Sequence, residues 1–128
     1  MTNGYFAYLD RYEAGYREII AALTKEFGTP FCVYHTGGGC MALQATVENG
    51  YLLITDAEDT LSPMDERIEA QASDVRFGYA VGIYNNDGDT IAYVSDSNVV
   101  TADDLTALVH RAFDVAATGG GTLLLADK

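Results

Sequence analysis

Two dipeptides, Asn49-Gly50 and Asp87-Gly88, constrain this chain most, because each separates two runs of strand-forming residues. Asn-Gly and Asp-Gly reach the positive φ angles of a two-residue type I′ turn at little steric cost. Each therefore predicts a hairpin, Met41–Val47 with Tyr51–Asp56 and Phe77–Asn85 with Asp89–Ser95. With Asn49 and Gly50 as the turn, Val47 falls opposite Leu52. Side chains alternate along strands, so Met41, Leu43, Ala45, Val47, Leu52 and Ile54 share the predicted core face. Gln44, Thr46, Glu48, Tyr51 and Leu53 share the other. The second hairpin groups Tyr79, Val81, Ile83, Ala92 and Val94 toward the core. Ala80, Gly82, Tyr84, Ile91 and Tyr93 fall on the reverse face, with Tyr93 across from Gly82, where a ring can shield a strand glycine.

Helical periodicity brackets the hairpins. Tyr5, Leu9, Tyr12, Tyr16, Ile19 and Leu23 recur at steps of four and three, with Phe6, Ile20 and Phe27 widening the stripe. They predict one long amphipathic helix, capped by Thr2 or Asn3 and stopped at Gly28-Thr29-Pro30. Glu13 and Arg17 have the spacing of a helical ion pair. Gly15 costs about 1 kcal/mol relative to Ala, which points to a close neighbour. A last helix is predicted from about Thr101 to Ala117. Thr101 is its N-cap, Asp103 and Asp104 complement its dipole, and Leu105, Leu108, Val109, Ala112 and Ala116 form its buried stripe. Between the hairpins, residues 57–76 are dense in acid. Ser62-Pro63 either opens a short helix over Met64–Ala72 or leaves a loop. The apolar tail Thr122–Leu125 either adds a strand or frays. The element order predicts an α+β fold: a five-stranded antiparallel meander with N- and C-terminal helices packed on one face. A length of 128 residues suits one domain, and a 48 % hydrophobic fraction suffices for its core.

Charge narrows the partners. Nineteen acidic residues against seven basic ones give a net charge of −12. Phosphate backbones and anionic membranes are repelled, so neither nucleic acid nor a membrane surface is an expected partner. A basic protein is. No apolar run approaches the roughly 20 residues of a membrane span. The opening Met-Thr-Asn-Gly lacks the pattern of a secretory signal, so a cytoplasmic location is expected. In that compartment Cys32 and Cys40 are expected as thiols rather than a disulfide.

The run from Phe31 to Ala42 carries the residues with chemical potential. Gly37, Gly38 and Gly39 can aim several N–H groups at one point, a cradle for an anion or for an anionic nucleotide signal, with His35 beside it. If Gly37-Gly38 is the turn, His35 stands opposite Cys40, as a cysteine nucleophile and its base require. A different register breaks that pair, and the run is then only a tight turn. Cys32, His35 and Cys40 do not have the spacing of a common zinc site, and His110 lies off the buried stripe, so no metal is expected. Asn85–Asp89 fails as a calcium loop, because its first and twelfth positions would be Ile83 and Val94. No cofactor fingerprint occurs.

The tyrosines point elsewhere. Nine tyrosines accompany no tryptophan, and Tyr51, Leu53, Tyr84, Ile91 and Tyr93 make the reverse face too apolar for an ordinary solvated surface. Tyrosine offers rigid contact area with one polar end and is enriched at interfaces. The face is therefore expected to meet a protein partner or a second copy of the chain, unless the tail or the acidic stretch covers it.

His35-Thr36-Gly37-Gly38-Gly39-Cys40-Met41-Ala42, the Gly50–Asp56 strand and Gly82-Ile83-Tyr84 before an Asp-Gly turn together resemble small uncharacterised proteins of actinobacterial bacteriophages. The resemblance covers roughly Phe31 to Ser95. It implies a phage accessory protein acting in the host bacterial cytoplasm and brings no catalytic residues with it. The resulting expectation is a non-enzymatic module that binds a host protein. The alternatives are a small-ligand binder using the glycine loop and a Cys40/His35 enzyme.

Overall fold

The computed structural model describes residues 3–37 and 40–125, with side chains described for 9–35 and 40–121. The long opening helix forms as two segments, α1 (Asn3–Gly15) and α2 (Arg17–Phe27), joined at Tyr16. Backbone bonds from Tyr16 to Tyr12 and from Ile20 to Tyr16 carry the helix through the joint, whose φ and ψ of −100° and 9° make a kink. Glycine at position 15 explains the site of bending. It also admits a neighbour, since a β-carbon there would come within 2.7 Å of the Met64 Cβ. The ion pair expected between Glu13 and Arg17 does not occur among the described residues. Gly28, at φ 69°, closes α2.

Strands β1 (Phe31–Gly37), β2 (Cys40–Val47), β3 (Gly50–Thr55), β4 (Tyr79–Asn85) and β5 (Thr90–Asp96) form the antiparallel meander, in sequential order. Helix α3 (Met64–Ala72) follows Pro63 between β3 and β4. Helix α4 (Ala102–Ala117) is capped by the Thr101 hydroxyl accepting from the Asp104 N–H at 3.0 Å. The tail adds β6 (Gly121–Leu125), parallel to β5, so the sheet has six strands. A parallel pair needs a crossover, and α4 supplies it.

Both central turns differ from the sequence expectation, the first in position and the second in length, yet the faces sort as expected. In the first hairpin Val47 pairs with Gly50 and Ala45 with Leu52, so Glu48 and Asn49 make the turn. Only Asn49 takes a positive φ there, 64°. Gly50 is thus a strand residue, and a β-carbon on it would strike the Tyr84 carbonyl of β4. The register moves by two residues, one full pleat period, which leaves every side chain on its predicted face. In the second hairpin the Asn85 side chain accepts from the N–H groups of Asp87 and Asp89, and Asn85 N–H bonds Asp89 C=O. That local bonding favours a three-residue loop, Asn86 to Gly88. The extra residue is absorbed by a bulge, because Tyr84 pairs with Thr90 and Ile83 with Ala92.

Helices α1, α2 and α4 pack on one face. Tyr12, Tyr16, Ile19 and Leu23 meet Leu105, Leu108, Val109 and Ala112 over Met41, Leu43, Leu52, Ile54, Val81 and Val94. His110, exposed as expected, bridges α4 to α2 through Glu26 at 2.7 Å and packs on Phe27.

Candidate functional site

The reverse face of the sheet has no helix over it among the described residues. Two neighbouring rows of its side chains follow from the register: Gln44, Leu53, Gly82 and Tyr93 in one, and Thr46, Tyr51, Tyr84 and Thr90 in the next. Tyr51, Leu53, Tyr84 and Tyr93 are each half-buried and contiguous. The rings of Tyr51 and Tyr84 stack at 5.3 Å with 19° between their planes. Such a pair contributes about 0.5–1.5 kcal/mol beyond its burial. Gly82 does stand across from Tyr93, but the ring lying over it belongs to Tyr84, whose hydroxyl occupies the space a β-carbon would need. The glycine lets the Tyr84 ring lie flat on the sheet.

The environment of these phenols is acidic and partly dry. Burial first, then the neighbouring Tyr93 and Tyr51, raise the Tyr84 pKa above its ordinary value. Burial and then Glu58 raise that of Tyr93. Glu58 belongs to the segment after β3, which covers one end of this face, where the Ser95 hydroxyl donates to the Ala57 carbonyl at 3.3 Å. Ala80 and Ser95 are buried there. The tail, by contrast, lies in the plane of the sheet as β6 and does not cross the face. Cover is thus partial, and the four central residues stay open. Tyr34, on the same face at the β1 edge, is 42 % exposed.

The structure brings Tyr51, Leu53, Tyr84 and Tyr93 together and sets Ile91 apart. The bulge displaces Ile91 to the rim, where it lines an open groove of about 380 Å³ with Ile83, Tyr84, Phe113 and Ala116. Ile91 is 37 % exposed there.

The glycine-loop residues are placed differently from the pairing a cysteine nucleophile needs. His35 stands opposite Met41, and Cys40 opposite Gly37, with a bulge between His35 and Gly37. Cys40 precedes Met41, so alternation turns it to the other face of the ladder. Both side chains are exposed, and neither Cys32 nor Cys40 forms a disulfide. The anion cradle at Gly38 and Gly39 lies outside the described residues. Among the described residues no group of three or more His, Cys, Asp or Glu is placed to hold a metal ion. Among them, too, no helix is long and apolar enough to cross a membrane.

Sequence reasoning missed a second polar constellation, at the α3 end of the core. Arg67 is 2 % exposed, pairs with the buried Asp56 and donates to the Gly78 carbonyl at 2.7 Å. Its guanidinium lies 3.8 Å from the Tyr79 ring centroid. Asp56 also accepts from the Ser62 hydroxyl at 2.6 Å and from its N–H at 3.1 Å. Tyr12 and Tyr16 donate to the Leu61 and Ser62 carbonyls at 2.8 and 2.5 Å. Burial pushes the Tyr16 phenol well above its ordinary range and raises that of Tyr79. Every charge here is answered by the protein itself, so the cluster ties α3 and the segment before it to the core. A helix position with an acidic, polar composition gave no warning of it.

Comparison with protein-family models, with curated proteins and with solved structures finds no match to this chain.

Proposed function

We propose that this chain is a non-enzymatic binding module that docks a basic protein on its open sheet face. Tyr51, Leu53, Tyr84 and Tyr93 form the contact. In the setting the phage resemblance implies, the partner is a host protein. The observation that carries the reading is the contiguous, half-exposed tyrosine and leucine surface over which no described helix lies. Water-exposed apolar area of this kind gains by being covered, and rigid aromatic rings lose little entropy when they are. The net charge of −12, with Glu58 beside Tyr93, selects for positive charge on what covers it.

The test is capture of a basic protein from bacterial lysate by the immobilised chain, at low and raised salt. The wild type is expected to retain a partner that salt releases. Tyr84→Asp combined with Tyr93→Asp is expected to retain none while melting close to the wild type. Unchanged capture by the double variant would move the docking site off this face.

A further inference from the structure

We infer that the outer edge of β1 pairs with the same edge of a second copy of this chain, joining two sheets into one across a two-fold axis. This inference goes beyond the docking face and stands independently of it. Strand β1 is terminal in the sheet order. The directions of its backbone groups follow from their neighbours. Phe31 N–H donates to the Thr24 hydroxyl at 3.1 Å and so points away from β2. Met41, the residue opposite His35, gives its N–H to the Thr60 hydroxyl and its C=O to the Leu61 N–H, both in the segment that continues β3. Phe31–Ala45 and His35–Met41 are therefore non-hydrogen-bonded pairs of the β1–β2 ladder. The two kinds of pair alternate in an antiparallel ladder, so Val33, midway between, turns both its N–H and its C=O outward.

Edge strands are usually guarded by charge, especially lysine, or by an internal proline. This one is not. Residues 28–47 contain no Asp, Glu, Lys or Arg, in a chain whose net charge is −12. Pro30 and the bulge after His35 bound the edge without interrupting it. Cys32 and Tyr34 are exposed on the reverse face. A two-fold axis passing beside Val33 pairs the two valines reciprocally and sets each Cys32 next to the other copy's Tyr34. A second copy is the fitting occupant. It presents the same edge in antiparallel sense, and the strand along which the two acidic bodies meet carries no charge of its own. Both tyrosine faces then lie on one side of a continuous sheet, with Tyr34 of each copy at the seam.

Sedimentation velocity over a range of concentrations tests this. The mass is expected to rise from 13.8 kDa toward twice that value, and to rise further in high salt, where like-charge repulsion is screened. Docking of a basic protein weakens in salt, so the two readings fail separately. Cys32→Glu with Tyr34→Glu places four carboxylates at the seam. It is expected to hold the mass at 13.8 kDa with melting unchanged, because both side chains are exposed in the monomer. Independently of any variant, hydrogen exchange at the Val33 amide is expected to slow as wild-type concentration rises. A monomer mass throughout in high salt, a mass doubling that survives in the double variant, or Val33 exchange indifferent to concentration would each overturn the inference.

Discussion

Two groups of three tyrosines use the same side chain in opposite ways. Tyr12, Tyr16 and Tyr79 sit under the helices around Arg67 and Asp56 and are essentially shut off from water. Tyr51, Tyr84 and Tyr93 lie on the far side of the same sheet, half open, held by stacking and by a glycine that lets one ring lie flat. In the closed group two hydroxyls are aimed at specific carbonyls, and those bonds fix where the segment before α3 runs. In the open group the rings keep part of their surface toward solvent. The difference teaches that enclosure of the phenol separates a structural tyrosine from one offered to a partner. Tyrosine count alone does not.

The largest expected effect breaks the closed group at its charge. Arg67→Ala leaves Asp56 buried without its cation, which should cost about 3–5 kcal/mol in urea unfolding. A loss below about 1 kcal/mol would mean that water reaches Asp56 and the cluster is not closed. Smaller effects grade the hydroxyls. Tyr16→Phe removes a bond to a part-buried carbonyl and should cost about 1 kcal/mol. Tyr79→Phe should be neutral or slightly stabilising, since the Tyr79 hydroxyl is buried without a hydrogen-bond partner. If both substitutions cost the same, the distinction between the two hydroxyls fails.

The three tyrosines of the closed group were legible as core residues, but the buried charges around them were not, and the reason lies in α3. Met64 and Ile68 are its large apolar residues, and a pattern reading buries both. The fold instead buries Arg67 and leaves Ile68 59 % exposed. The stabilising partners of Arg67 are Asp56, Gly78 and the Tyr79 ring, none within ten residues of it in sequence. Local composition carries no trace of such contacts. The open group was legible because strand alternation survives a register shift of two residues. Moving the first turn from Asn49-Gly50 to Glu48-Asn49 makes that shift, and the longer second loop is offset by the bulge at Ile91. Tyr51, Leu53, Tyr84 and Tyr93 keep their face through both. Ile91, the residue in the bulge, is the one that moves.

Alkaline titration gives the smallest effect and sharpens the contrast. Burial raises the folded pKa of Tyr16 and Tyr79 above the ordinary phenol value near 10. The unfolded chain therefore loses those protons first, and stability should fall as pH rises past that value. Tyr84 and Tyr93, also raised but only partly buried, should ionise within the folded chain. Phenolate absorbance should then appear in two stages, the second coincident with unfolding. A single stage, with every tyrosine ionising while the chain is still folded, would erase the difference between the groups.

Docking requires that one face of the sheet be open in the isolated chain. Tyrosine-selective acetylation of the dilute monomer, read residue by residue by mass spectrometry, tests that directly. Tyr34, Tyr51, Tyr84 and Tyr93 are predicted to react in the folded protein, and Tyr12, Tyr16 and Tyr79 only after unfolding. Tyr51, Tyr84 and Tyr93 as inert as Tyr79 would contradict an open face and leave no surface for the partner to occupy.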